Sequence, residues 1–412
     1  MSLRHFREQP GNRPMSWIRG LSSPYRIVAI GTLCIGVFVT AGLLQALLAE
    51  GIPTDLASKD FANYWMAGRL IDSGQAADLF GPQPAYFAHL QRVFGSGYGW
   101  HNWSYPPHVL LLLWPLGFLG YKAAAVTFLV VTGGFFVWSL RVLTGRVVWM
   151  ALVATGALVV HNISVVQNGF LTAGLGLSAL ALREKRPVLA GIMLGFMTIK
   201  PQLGLLFPFL LLAERRWTML ASATVTTVTL VIISAAIFGI DAWEGYFREV
   251  VPYQAFVMRE MQGSFLAMMP SVYGTLRNWG LGPDIALSLH SAVALPVAAI
   301  AIAAFFRVEN PGKRTVILLV ATFVITPYVL SYDLGLFAAA LAMMAGDGRK
   351  DDGASRGVTV VLALAMLLPV IMTPLGGMKL SVAPVVILCV LFMALRRTGF
   401  TRASRLLSVG QS

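Results

Sequence analysis

Long apolar runs recur along almost the whole chain, and they constrain the fold more than any motif does. They cover residues 25–48, 121–140, 147–163, 166–182, 187–213, 218–238, 284–306, 315–330, 334–346, 357–374 and 381–395. A helix needs about 20 apolar residues to cross a bilayer core. With 57% hydrophobic and 12% charged residues, the chain holds about half the charge usual in soluble domains, which is about 25%. A water-soluble enzyme is thereby excluded and a polytopic membrane protein expected. No strand-like alternation interrupts the runs, so the fold class is all-α. The first run is longer than a signal-peptide core of about 7–15 residues and reads as an uncleaved anchor helix.

The run 187–213 decides the expected topology. Lys200-Pro201-Gln202 stands at its centre, and cations flank both ends: Arg183, Lys185 and Arg186 before it, Arg215 and Arg216 after it. Proline breaks a helix by removing a hydrogen bond. A single crossing would also put one basic cluster outside. A hairpin of two half-length helices keeps both clusters on one side and leaves the Lys200 apex near the outer surface, where irregular backbone must line a protein cavity. This gives about 12 membrane passes, with both termini cytoplasmic.

The charge distribution agrees. The net charge is +13, but most cations fall in segments this topology puts inside. These are Arg4, Arg7, Arg13, Arg19 and Arg26, then Arg141 and Arg146, the two clusters above, Arg307, Lys313, Arg314, Arg349, Lys350, Arg356, Arg396, Arg397, Arg402 and Arg405. That is positive-inside bias, not a nucleic-acid footprint. The expected layout is a basic cytoplasmic tail at 1–26, a first transmembrane helix at 25–48, and a catalytic outer loop at 49–120. A bundle at 121–238 follows, then a second outer loop at 239–283, a bundle at 284–395 and a cytoplasmic tail at 396–412. In the first loop, 60–73 and 83–94 are amphipathic and suggest helices lying on the membrane surface. The short run 106–119 reads as re-entrant or surface-lying.

Four outward-facing spots can carry chemistry. Ser58-Lys59-Asp60-Phe61-Ala62-Asn63-Tyr64-Trp65 opens the first loop. Asp60 is a candidate general base at the outer interface; it also stands where a helix N-cap would, and Asp caps well. Trp100-His101-Asn102-Trp103-Ser104-Tyr105 suits either an interfacial aromatic belt or a sugar site, in which rings stack and polar tips bond hydroxyls. His161, Asn162, Gln167, Asn168 and Lys200 lie within apolar runs, where polar groups face a cavity or act as interhelical glue. Lys200 suits a lipid phosphate. Thr326-Pro327-Tyr328 and Ser331-Tyr332-Asp333 join two short runs, and Asp333 is placed either to pair with Lys200 or to act directly. Arg248, Arg259 and Arg277 of the second loop are further phosphate candidates.

Absences narrow the classes. The two cysteines, Cys34 and Cys389, lie in apolar runs and offer neither a disulfide framework nor a metal site. There is no phosphate-binding loop, no HExxH and no Asp-x-Asp pair in an outer loop. Asp351-Asp352 falls in a short charged loop on the cytoplasmic side.

Several motifs stand in a recognisable order: Asp60-Phe61, Tyr64-Trp65, Ala67-Gly68, Gly74, Leu79-Phe80, Ser104-Tyr105-Pro106-Pro107 and Trp114-Pro115-Leu116. Gln167-Asn168-Gly169, Ala190-Gly191, Lys200-Pro201-Gln202, Arg215-Arg216-Trp217, Thr326-Pro327-Tyr328 and Tyr332-Asp333-Leu334 continue it. Over roughly residues 55–345 the chain resembles glycosyltransferase family 87. These are GT-C membrane enzymes that include polyprenol-phosphate-mannose-dependent mannosyltransferases. The resemblance implies a GT-C-like bundle, a polyprenyl-phosphate-sugar donor, a glycolipid or glycan acceptor, and a site on the outer face of a bacterial inner membrane. It places the essential carboxylate at Asp60. Lipid phosphate is a good leaving group, so one base suffices for inversion. Retention would require a second carboxylate about 5–5.5 Å away. Asn63, Tyr64, Gln167, Asn168, Gln202, Tyr332 and Asp333 then line the substrate, Trp100, His101, Trp103 and Tyr105 frame the sugar, and Lys200 and Arg277 hold the phosphate. No cofactor is implied, and a divalent metal is left open. The competing classes are a secondary transporter, which broken helices and intramembrane charges also suit, and a lipid-linked-glycan flippase.

Overall fold

The computed structural model describes residues 23–52, 56, 60–145, 148–347 and 356–399. The N-terminal basic segment, Ser58-Lys59, Arg146, Arg349-Lys350, Asp351-Asp352 and the tail with Arg402 and Arg405 lie outside the described residues. Among those described there is helix and irregular chain but no strand.

Each apolar run forms helix over most of its length. The helices are α1 (Ser23–Leu48), α2 (Phe61–Asp72), α3 (Gln83–Phe94), α4 (Tyr121–Thr144), α5 (Val148–Val165) and α6 (Gly169–Leu182). The next are α7 (Pro187–Phe196), α8 (Phe207–Ala213), α9 (Trp217–Phe238), α10 (Val251–Glu260) and α11 (Val272–Asn278). The last are α12 (Pro283–Arg307), α13 (Pro311–Ile325), α14 (Gly335–Asp347), α15 (Arg356–Gly377) and α16 (Ala383–Arg397). Among the described residues five stretches can cross a membrane by length and composition: Val28–Leu48, Tyr121–Thr144, Trp217–Phe238, Pro283–Arg307 and Gly357–Gly377. The other apolar helices are shorter. They pack in the interior: α13 is buried almost throughout from Thr315 to Val324, whereas few side chains of α1 and α9 are buried.

The run 187–213 folds as a hairpin. Helix α7 ends in a 3-10 turn at Met197–Ile199, Lys200 leaves helical geometry at φ −136, ψ 76, and a second turn at Pro201–Gly204 leads to α8. Two ion pairs close the open end: Arg183 to Glu214 and Arg216 to Glu184, each 2.9 Å. Glu214 is buried and also meets Arg314 at 3.8 Å. Arg183 donates to the Pro311 carbonyl, Lys313 to that of Arg397, and Arg397 to that of Met344. One end of the bundle therefore gathers the charged residues from four connections. The Lys200 apex points to the other end, as do the α5–α6 turn and the α13–α14 connection.

The loop at 60–104 is built of short helices, as the amphipathic pattern predicts: α2, a 3-10 turn at Ala76–Phe80, and α3. The apolar stretch Pro107–Phe118 is a chain of 3-10 and α turns lying against α2. Two glycines allow that contact. A Cβ on Gly68 would overlap the backbone of Gly117, and a Cβ on Gly117 would overlap that of Gly68. Trp65 adds a hydrogen bond to the Leu119 carbonyl at 2.9 Å.

Candidate active site

At the Lys200 end lies a cavity of about 610 Å³. It draws together all four spots marked in the sequence. Asp60, Asn63, Tyr64, Trp100, His101, Tyr105, Gln167, Lys200, Gln202, Tyr332 and Asp333 all line it. Asn102, Ser104 and Tyr328, which belong to those motifs, line it as well.

Asp60 precedes α2, yet its side chain makes no capping hydrogen bond. The capping reading is therefore overturned, because the carboxylate turns the other way. Oδ2 accepts from Gln167 Nε2 at 2.6 Å, and Oδ1 lies 3.4 Å from His101 Nε2. The orientation of the Gln167 amide is fixed physically. Its oxygen accepts from the backbone N–H of Asn168 at 2.8 Å, and a backbone N–H can only donate. Its nitrogen must then face Asp60. The Tyr64 hydroxyl also donates to Gln167 Oε1 and lies 2.8 Å from the Tyr105 hydroxyl. Burial above all, then the neighbouring Tyr105 and the charge of Asp60, hold the Tyr64 phenol well above its ordinary range. Burial likewise raises Tyr105. Both phenols are neutral hydrogen-bonding groups, not bases.

The α5–α6 turn that presents Gln167 is unusual. Val166 has φ 49, a conformation rare for a β-branched residue. Next to Gln167, Gly169 packs so tightly that a Cβ would overlap the Tyr332 carbonyl. Asn162 donates to that same carbonyl at 3.1 Å, and His161 Nε2 lies 2.7 Å from Ser331 Oγ. Of the polar residues in apolar runs, then, His161 and Asn162 bind helices together while Gln167 and Lys200 face the cavity.

Lys200 pairs with Asp333: Nζ to Oδ1 is 2.6 Å, with both side chains buried. The ammonium also lies over the Tyr332 ring, 4.6 Å from its centroid. Asp333 Oδ2 accepts from the Leu330 N–H at 3.2 Å. Both oxygens of Asp333 are thus engaged within the protein, whereas the Asp60 side chain is 39% exposed.

Three expected site residues do not line the cavity. Trp103 is fully buried behind it, its backbone N–H bonded to Gln83. Asn168 stands one layer back and donates to the Tyr105 hydroxyl at 3.0 Å. Arg277 bonds the carbonyls of Leu281 and Arg259, Arg259 pairs with Asp284 at 2.9 Å, and Arg248 is exposed. Among the described residues no arginine lines the cavity, so a phosphate there meets Lys200 as its lining cation. In return the second loop supplies residues that no motif marked. Gln254 of α10 donates to Ser104 Oγ, which also accepts from Asn102 at 2.9 Å. Val251, Ala255, Met258, Met261, Phe265 and Met268 make an apolar wall. Among the described residues there is no cluster of three His, Cys, Asp or Glu suited to a metal ion.

An all-helical apolar bundle with a carboxylate-bearing cleft at one end is the frame of either a membrane enzyme or a carrier. Residues 103–327 match glycosyltransferase family 87, and the chain belongs to that family. It is thus a membrane glycosyltransferase, which displaces the carrier and flippase readings. The matched segment holds Tyr105, Gln167, Lys200 and Gln202; Asp60 and His101 precede it, and Tyr332 and Asp333 follow it. No curated protein and no solved structure matches the chain.

Proposed function

We propose that the enzyme transfers a hexose, mannose by the family resemblance, from a polyprenyl-phosphate donor to a hydroxyl of a lipid- or glycan-linked acceptor. Transfer proceeds with inversion and with Asp60 as base. The acceptor oxygen attacks the anomeric carbon, the bond from that carbon to the phosphate oxygen breaks with its electron pair leaving on the lipid phosphate, and the hydroxyl proton passes to Asp60. Lys200 holds the phosphate. Its ammonium has three N–H donors, and Asp333 takes one. The methionine-rich wall suits an apolar lipid tail, and the Asn102–Ser104–Gln254 group suits sugar hydroxyls.

One observation carries this reading. The Asp60 carboxylate faces the cavity, oriented by an amide, instead of capping its helix. With Asp333 buried and paired to Lys200, Asp60 is the carboxylate the cavity leaves open for chemistry, which favours inversion over a covalent intermediate. The proposed setting is a bacterial inner membrane, crossed about 12 times, with the cavity facing outward. The test is sugar transfer from radiolabelled polyprenyl-phosphate mannose. Asp60→Asn preserves size but cannot take a proton. Activity should fall about 10²–10⁴-fold, with thermal stability little changed. Near-normal turnover would end the claim for Asp60.

A further inference from the structure

We infer that Asn168, Tyr105 and Tyr64 are positioning residues of Asp60, joined in a one-way hydrogen-bond chain that acts on the carboxylate through the Gln167 amide. The inference rests on Asp60 being the base. Four contacts make the chain. Asn168 Nδ2 meets the Tyr105 hydroxyl at 3.0 Å, Tyr105 meets the Tyr64 hydroxyl at 2.8 Å, Tyr64 meets Gln167 Oε1, and Gln167 Nε2 meets Asp60 Oδ2 at 2.6 Å. The sequence offers these residues as a lining for substrate. Their hydrogen-bond directions give them another task.

Each proton has one place to go. The Asn168 backbone N–H can only donate, so the Gln167 atom it meets is the amide oxygen, an acceptor. The Tyr64 oxygen touches that acceptor, and two bare oxygens in contact repel, so the Tyr64 proton lies between them. A phenol carries one proton. Tyr105 therefore supplies the proton of its contact with Tyr64. With Tyr105 spent in turn, Asn168 presents its amide nitrogen to it, not its oxygen. Every donor in the chain thus points toward Asp60. All four residues of the chain are buried, and away from water such chains polarise link by link, strengthening the last bond. The geometry is a clamp. Asp60 and Tyr64 stand one helical turn apart, and a single amide bridges them, nitrogen to the first and oxygen to the second. That amide comes from the α5–α6 turn, which Gly169 seats against the Tyr332 carbonyl. The chain therefore fixes the base to two segments far from it in sequence.

The test uses the full-length enzyme in nanodiscs, with radiolabelled polyprenyl-phosphate mannose as donor and a membrane lipid extract as acceptor source. Tyr64→Phe and Tyr105→Phe each delete one oxygen and keep the rings, which pack edge to face at 5.6 Å. Tyr64→Phe should lower kcat about 3–10-fold, the worth of one hydrogen bond, and Tyr105→Phe should lower it less. The donor KM should stay within about twofold in both. Gln167→Leu removes the link to the carboxylate and should lower kcat at least about 10-fold, toward the roughly 10²-fold that a misplacement near 1 Å costs. The decisive reading is non-additivity. Tyr64→Phe with Gln167→Leu should be no slower than Gln167→Leu alone. Tyr64→Phe with Tyr105→Phe should be no slower than Tyr64→Phe alone, because each residue acts through the next. Losses that multiply would overturn the inference. So would a raised donor KM with kcat intact, which would make the tyrosines substrate ligands. If Gln167→Leu fails to fold, the comparison of the two tyrosines still decides. Near-normal turnover of Asp60→Asn would instead remove the reading beneath, and a separate variant reports it.

Discussion

Lys200 and Asp333 lie 133 positions apart and meet at 2.6 Å inside the bundle. Removing one partner of a buried pair leaves an uncompensated charge, a loss of about 3–5 kcal/mol, while replacing both with apolar groups can be neutral. Lys200→Met should therefore lower the Tm clearly, and Lys200→Met with Asp333→Leu should recover it. Transfer should stay lost in both if Lys200 holds the donor phosphate; a double variant with wild-type turnover would refute that role. The sequence singled out both residues because charges in apolar runs need a reason to be there. It also marked Asp60, which lines the cavity, and left its capping role open. What it could not give was which way a side chain turns. Trp103 and Tyr105 stand two residues apart in irregular chain, and packing of the Trp103 ring against Tyr86 and Tyr105 holds it behind the cavity wall. Gln254 escaped because an amide in an outer-loop segment looks like any solvated side chain.

At the scale of elements, α2 and the Pro107–Phe118 stretch depend on backbone touching backbone at Gly68 and Gly117. A methyl at Gly117 must push the two apart. Gly117→Ala should lose about 1–3 kcal/mol from overpacking, read as a drop in Tm, with activity falling as Asp60 shifts with its helix. An unchanged melting curve would contradict the close approach. The amphipathic period announced α2 and α3, and Lys200-Pro201 announced the break in the hairpin, because proline and a central charge cannot continue an apolar helix. The short run at 106–119 was harder. Its three successive turns are set by Pro107, Pro115 and contact with α2, not by any periodicity of its own.

Taken whole, the molecule has a charged end and a cavity end. Arg183, Arg216, Lys313, Arg314 and Arg397 meet at the first, tied through Glu214 and backbone carbonyls. The cation clusters made that grouping legible, since orientation in a membrane is written in Lys and Arg. The crossing count was less legible. Helices such as α7, α8 and α14 are short, and among the described residues five stretches carry the length to span. The proposed orientation places the charged end in the cytoplasm. In a Cys34→Ser, Cys389→Ser background, Lys185→Cys should react with an impermeant maleimide only after permeabilisation. Labelling in intact cells would invert the topology.

The hairpin has a consequence for how the protein is made. Lys200 leaves the ribosome 133 residues before its counter-ion, which at about 5–20 residues per second is on the order of ten seconds. During that interval the half-helices on either side are too short to hold a bare ammonium in hydrocarbon. In the proposed topology the segment waits at the interface or in the insertion machinery, and it settles when residues 326–333 arrive to close over it. Biogenesis is therefore not a strict sequence of crossings from the N-terminus: an early piece of the active site is stored, and a late one completes it.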